Sequence, residues 1–172
     1  MLFEGRDLAD AGEELRGVQI GYVQRALRSA QGRSALSIAA EGLLAHGVHP
    51  SRAERAADEA LARVGAEQCA LLSVSELGEH ETMLVALART LALKPSLLVI
   101  DEPIGGVTLL QRDEILRLLR RLTNEGLTVL AATAEATGLA GVDRAFTLHD
   151  GRLAASSTPE LARVLPLRRA HG

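Results

Sequence analysis

Aromatic side chains are almost absent from these 172 residues: Phe3, Tyr22 and Phe146 are the whole complement, with no tryptophan. That scarcity excludes a stacking platform for unpaired bases, and with it single-strand nucleic-acid binding of that kind. The core has to be assembled from Leu, Val, Ile and Ala. An apolar content of 47% supplies enough of them for one substantial core. A single cysteine, Cys69, excludes an internal disulfide and suits a reducing compartment. Neither sign of charge is in large excess, and a formal net charge of −3 gives no electrostatic reason to expect nucleic acid as a partner. No apolar run approaches the length of a membrane span, and the opening Met1-Leu2-Phe3-Glu4-Gly5-Arg6-Asp7 lacks the pattern of a signal peptide. A cytoplasmic protein is the expectation.

No internal repeat or low-complexity segment interrupts the chain. Leu8 to Leu15 predicts a short polar helix and Val18 to Val23 a strand. Ser29 to Arg33 is loop-like, and Ala35 to Leu44 has helical apolar spacing. After Pro50, Ser51 is a candidate N-cap with Glu54 three residues on, and Gly65 marks the end of that helix. Its apolar face is Ala56, Ala57, Ala60, Leu61 and Val64. Glu79 to Leu93 is helical again, and Leu110 to Leu122 carries Ile115, Leu118, Leu119 and Leu122 on one face. Leu127 to Thr133 predicts a buried strand. Arg144 to Leu148, His149-Asp150-Gly151 and Arg152-Leu153 read as strand, tight turn, strand. Thr158-Pro159-Glu160 opens a last helix with Pro at its first position. Strands alternating with helices at this spacing imply a parallel α/β core.

Leu97-Leu98-Val99-Ile100-Asp101-Glu102-Pro103 is an apolar strand ending in two carboxylates, yet these residues contain no Gly-x-x-x-x-Gly-Lys-Ser/Thr loop. Phe3-Glu4-Gly5-Arg6-Asp7-Leu8, Ile20-Gly21-Tyr22-Val23, Ala86-Leu87-Ala88-Arg89 and Asp150-Gly151-Arg152-Leu153 flank that strand in a specific order. In sequence and spacing the set resembles the nucleotide-binding domain of ABC transporters, most nearly the small exporter and lipoprotein-release type, from Phe3 to about Leu165. The resemblance implies a P-loop NTPase (RecA-like) α/β fold, with a parallel sheet lacking the P-loop strand and an inserted ABC-type helical subdomain. Residues 1–24 and 81–165 would form the α/β core, 25–80 the helical subdomain and 166–172 a tail.

The resemblance also assigns roles. Asp101 takes the Walker B position that serves Mg²⁺ through water when nucleotide is bound, and Glu102 the inherited position of the catalytic base. Gln24 falls one place early for the Q-loop glutamine: either it serves with a shorter loop, or the family position is Arg25. Counting back from Ala86 places the signature at Leu77-Gly78-Glu79-His80-Glu81, although Leu72-Ser73-Val74-Ser75-Glu76 looks more like it by eye. Gly78 and Glu81 are then nucleotide-contact positions, with the serine hydroxyl lost at Gly78 and a carboxylate, Glu79, in place of a glycine. The D-loop aspartate position falls on Thr108 and the switch histidine position on Ala134. Without a phosphate loop, two carboxylates repel phosphate, so ATP and Mg²⁺ are expected only if that loop is supplied from elsewhere.

Among the remaining residues, His46, His49, His80, His149 and His171 lack a metal-ligand spacing and are expected to be solvated. Arg112, Arg117, Arg120 and Arg121 are expected on a wet helix face, Cys69 as a small buried hydrophobe, and Arg168-Arg169 in a solvated tail. Three functional expectations follow. The first is a degenerate ABC ATP-binding subunit homologue, inactive as given, cytoplasmic or peripheral at the inner face of the plasma membrane. It would contact a transmembrane permease subunit through 25–80, form a homo- or heterodimer with an ABC ATPase, and bind no nucleic acid. The second is a fragment of a longer ABC ATPase that binds ATP and hydrolyses it slowly to drive transport. A chromosome-maintenance ATPase of the same family is disfavoured, because no long heptad segment or zinc-ligand cluster interrupts the chain.

Overall fold

The computed structural model describes residues 2–3, 6–7, 20–23, 27, 32–134 and 142–157, of which 2–3, 6–7 and 154–157 are described as backbone only. The helices expected at Leu8–Leu15 and after Thr158, residues Gln24 and Arg25, and the tail with Arg168, Arg169 and His171 lie outside the described residues. The chain divides into two units, Met1–Thr133 and Ala134–Gly172.

In the first unit, β1 (Leu2–Phe3) and β2 (Arg6–Asp7) form a small antiparallel pair. Then follow β3 (Ile20–Val23), α1 (Ala35–Ala45), α2 (Pro50–Val64), α3 (Glu79–Leu91), β4 (Leu97–Asp101), α4 (Leu109–Asn124) and β5 (Thr128–Ala132). Strands β3, β4 and β5 lie side by side in that order, all parallel, with Tyr22, Val99 and Leu130 in register across the sheet. The expected parallel α/β core is present.

Local chemistry sets the helix ends. The Ser34 hydroxyl accepts from the Ser37 N–H at 3.2 Å and opens α1. Helix α2 begins two residues before the expected site, with His49 rather than Ser51 as N-cap and Pro50 at the first position. Proline fits there because its fixed φ suits the helix and its missing N–H would have no intrahelical partner. The Ser51 hydroxyl bonds His49 Nδ1 at 2.9 Å instead of capping. Gly65, at φ +78°, closes α2 in the left-handed conformation, and the Ala66 N–H reaches back to the Leu61 carbonyl at 2.9 Å. Thr108 and Gln111 cap α4 reciprocally: Gln111 Oε1 accepts from the Thr108 N–H at 3.0 Å, and Thr108 Oγ1 from the Gln111 N–H at 3.4 Å.

One apolar cluster runs through this unit, joining Leu61 of α2, Met83 and Leu87 of α3, Leu98 and Ile100 of β4, and Ile115 and Leu122 of α4. The i, i+3, i+4, i+7 stripe Ile115, Leu118, Leu119, Leu122 is buried throughout. Cys69 is buried in the same cluster. The C-terminal ends of α2 and α4 are also tied by polar contacts. Arg63 Nε donates to Glu125 Oε2 at 3.1 Å, and Arg121 Nη2 donates to the Arg63 carbonyl at 2.7 Å.

Strand β5 departs from expectation. Four of its five residues are exposed, Leu130 by 48%. The apolar run predicted burial because central parallel strands are covered on both faces. Among the described residues β5 pairs only with β4, which leaves it less covered than a strand paired on both sides.

In the second unit, β6 (Ala145–His149) and β7 (Arg152–Ser157) form an antiparallel hairpin. Its two-residue turn, Asp150 at φ +48° and Gly151 at φ +72°, has the left-handed backbone that a tight hairpin with right-twisted strands requires.

Candidate functional site

The parallel ladder carries β4 to its end at Asp101, whose register partner is Ala132 of β5. One step further, the Glu102 N–H donates to the Ala132 carbonyl at 2.8 Å. Glu102 sits at φ +48°, a left-handed backbone costing a residue with a β-carbon about 1–2 kcal/mol. Buried Pro103 and Ile104 follow and hold the turn. Half-buried Glu102 keeps its carboxylate beside β5, where Oε2 accepts a hydrogen bond from Thr133 Oγ1 at 3.2 Å. Asp101 is exposed, and Ala134, also exposed, follows Thr133.

A second grouping lies at the start of α3. Gly78 is its N-cap, and Glu79 and Glu81 are both in the first turn. Two carboxylates near the partial positive charge of a helix N-terminus each stabilise the helix by roughly 0.3–1 kcal/mol. They also neutralise the field that would draw an outside anion. Glu81 folds back over the cap, with Oε2 only 2.7 Å from where a β-carbon on Gly78 would stand. The look-alike Leu72–Glu76 is elsewhere: Val74–Glu76 is a single 3₁₀ turn capped by Ser73, ahead of the helix.

His80 corrects the expectation of solvated histidines. Its side chain is only 14% exposed, and Nε2 lies 3.5 Å from Glu114 Oε2 on α4. Its place on the inner side of the first turn of α3 turns the ring toward α4 rather than toward water. His46 and His49 are exposed and bond locally, Nδ1 of His46 to the Gly42 carbonyl at 2.7 Å. Exposed His149 pairs with Asp150 at 3.1 Å. Among the described residues no cluster of three or more His, Cys, Asp or Glu is arranged to hold a metal ion. Burial, followed by the charges of Glu81 and Glu67, pushes the Cys69 thiol above its ordinary pKa, so the thiolate that nucleophilic chemistry requires is disfavoured.

The structure thus joins Asp101 and Glu102 with Thr133 at the end of β4, and Gly78 with Glu81 at the start of α3. Thr133 as the partner of Glu102 was missed from sequence. Its signal is the register of two five-residue strands, which puts the residue after β5 beside the residue after β4. At one place the Glu102 carboxylate accepts from a threonine, and at the other an exposed helix N-terminus carries two of the chain's own acids in its first turn.

Comparison with known proteins follows the same lines. The family profile described as "ABC transporter" matches residues 1–105. The Fe(3+) ions import ATP-binding protein FbpC of Streptomyces avermitilis is 42% identical over 122 residues, which are 69% of this chain and 35% of that protein. The glutamine transport ATP-binding protein GlnQ of Escherichia coli is 34% identical, over 69% of this chain and 50% of its own length. The biotin transport ATP-binding protein BioM of Rhizobium etli is 30% identical, over 90% of this chain and 67% of its own. The chain spans about a third to a half of FbpC and GlnQ. Among solved structures, cbiO1 from Clostridium perfringens, part of the ABC transporter complex cbiONQ, superposes with a TM-score of 0.79 at 24% identity, over 92% of this chain and 65% of that one. The dimeric ATP-binding cassette MJ0796, bound to ADP and Pi, gives 0.78 at 22% identity, over 91% and 71%. Those structures establish the shared fold.

Proposed function

The chain belongs to the ATP-binding family of ABC transporters, and from that premise we propose that it is a degenerate subunit without ATPase activity of its own. It serves as an accessory partner of a membrane permease or of an intact ATPase subunit. The observation that carries this reading is the start of α3, where the Glu81 carboxylate lies against exposed Gly78 and Glu79 follows it in the first turn. A γ-phosphate brought there by a partner would meet two carboxylates at the place where its relatives offer a hydroxyl and glycine backbone. Ala134 removes a second phosphate contact, since its methyl group cannot hydrogen-bond. The helical stretch 25–80 is the proposed permease contact, and the protein sits in the cytoplasm or peripherally at the inner face of the membrane. Among the described residues no helix is long and apolar enough to cross a bilayer, which agrees with such a peripheral role.

A second reading is favoured by one observation, the intact acidic pair at the end of β4 with Glu102 aimed by Thr133. On that reading the chain is part of a longer ATPase that binds Mg-ATP and hydrolyses it slowly. Isothermal calorimetry with Mg-ATP on the purified chain, with Glu102→Gln alongside, tests the first reading. No heat at millimolar nucleotide is expected. Saturable binding that changes with Glu102→Gln would overturn it. Slow turnover after a phosphate-loop segment is fused ahead of Met1 would favour the second reading, and brisk turnover would count against both accounts of a degenerate site.

A further inference from the structure

The C-terminal ends of α2 and α4 meet, and each presents a difficulty that the other relieves. A helix C-terminus carries partial negative charge and carbonyls with no intrahelical partner. At the end of α2 the N–H groups of Gly65 and Ala66 bond the Ala62 and Leu61 carbonyls at 3.0 and 2.9 Å. The Arg63 carbonyl accepts instead from Arg121 Nη2 of α4 at 2.7 Å. At the end of α4 the C-cap is Glu125, a carboxylate where the helix dipole disfavours one. Arg63 of α2 offsets it: Nε donates to Glu125 Oε2 at 3.1 Å, and Nη2 donates to the same oxygen. Arg121 thus caps α2, and Arg63 neutralises the end of α4. Elsewhere α2 packs on α1 and α3, whereas α4 packs on β5. The crossed contacts therefore tie the α1–α2 layer directly to a helix of the sheet side.

We propose that this junction is a salt-sensitive strap, which holds the α1–α2 layer on α4 and restrains the opening of that layer on its own. Two kinds of tie act on the same helices. The apolar cluster runs through α2, α3 and α4 and is not screened by ions. The polar tie is open to water, with side chains 39% exposed at Arg63 and 42% at Glu125, so dissolved ions reach the pair and weaken it. Partial openings lie below the global one in free energy, and an interaction that is broken in such an opening sets how often it occurs. Because Arg63 and Arg121 each serve the opposite helix, the layer cannot lift from α4 without losing both contacts together. The strap needs no nucleotide, permease or second chain, and it stands independently of the proposed accessory role.

Native-state amide exchange with the full chain, followed over low urea concentrations, tests it. Amides of α1 and α2 are expected to exchange through an opening with a shallower urea dependence than those of Leu98 and Ile100 in β4, because less surface is exposed. Glu125→Gln should speed exchange in α2 about 2- to 5-fold, the range that an exposed charge pair supports. In an Arg63→Met background the same substitution should leave exchange in α2 unchanged, since its partner is already gone. Arg121→Met keeps the apolar stem but uncaps the Arg63 carbonyl, and should act in the same direction as Glu125→Gln. At about 1 M sodium chloride, where the screening length is roughly 3 Å, the native chain and Glu125→Gln should converge. Equal urea slopes in α2 and β4 would mean that no separate layer opens. Exchange in α2 indifferent to Glu125→Gln would mean that the pair restrains nothing, and a difference undiminished by salt would mean that charge is not its basis. Any of the three overturns the proposal.

Discussion

Adding one methyl group at Gly21 should set β3 against α3. A β-carbon at Gly21 would stand 2.3 Å from Thr90 Cγ2, and 3.1 Å and 3.3 Å from Pro95 Cγ and Cβ. Ordinary carbon contacts begin near 3.5 Å, so the overlap with Thr90 exceeds an ångström. Thr90 cannot easily yield. It is buried, β-branched within a helix, and its hydroxyl donates to the Ala86 carbonyl at 3.0 Å. Forcing a methyl into such a contact costs typically about 1–3 kcal/mol. Replacing glycine in a strand recovers roughly 0.5–1 kcal/mol of backbone entropy. The two ranges combine to a net loss of about 0–2.5 kcal/mol; because Thr90 cannot easily yield, Gly21→Ala is expected in the upper part, about 1–2.5 kcal/mol, or a fall in melting temperature of roughly 2–10 °C for a chain of this size. Thr90→Ser removes the offending methyl and keeps the hydroxyl bond, so the double variant should recover at least about 1 kcal/mol of coupling in a double-mutant cycle. Chemical denaturation of the four chains measures it. A cost below about 0.5 kcal/mol for Gly21→Ala, or additivity with Thr90→Ser, would show that the close approach of β3 to α3 does not constrain the fold.

Three further outcomes are expected. Leu122→Ala, at a fully buried position of α4, should cost about 2–5 kcal/mol, whereas Leu109→Ala, at a residue 77% exposed, should stay within about 0.5 kcal/mol; urea unfolding distinguishes them. Because burial raises the Cys69 thiol pKa, its contribution to stability is complete below the ordinary thiol value of about 8.5. That contribution is lost as pH rises toward the folded value, so stability should fall more steeply above about pH 9 in the native chain than in Cys69→Ala, and disulfide reagents should modify Cys69 only slowly before unfolding. Lys94 holds φ +53°, so Lys94→Gly should be more stable than Lys94→Ala by about 1 kcal/mol, a difference set by the β-carbon in the left-handed region; thermal melts of the two variants give the comparison.

Much of this architecture was legible because its signals are local. The stripe Ile115, Leu118, Leu119, Leu122 predicts α4 through periodicity alone, and Gly65 announces the end of α2 because a left-handed cap favours glycine. The acidic pair at the end of β4 was legible from its apolar run. What escaped depends on pairing across distance. That Thr133 bonds Glu102, that His80 turns toward Glu114, and that Leu130 is half exposed all follow from which strand or helix lies alongside. A one-dimensional pattern does not carry that information. The start of α2 failed for a smaller reason: Ser51 and Glu54 make a capping-box pattern, but Pro50 already occupies the first turn.

The apolar cluster that joins α2, α3, β4 and α4 ties the fate of the helical stretch to that of the sheet. A ligand that grips the helices and ignores the unfolded chain lowers the free energy of the entire packed unit by the same amount. Heat or urea would therefore find the strands protected by an occupant that never touches them. A thermal-shift screen against candidate permease segments then reads binding at α1 or α2 through the melting of β4. The dye or fluorophore need not be near the contact. The converse holds as well: a cavity cut at Leu98 or Ile115 weakens a partner of the folded helices to the extent that it depletes the folded chain.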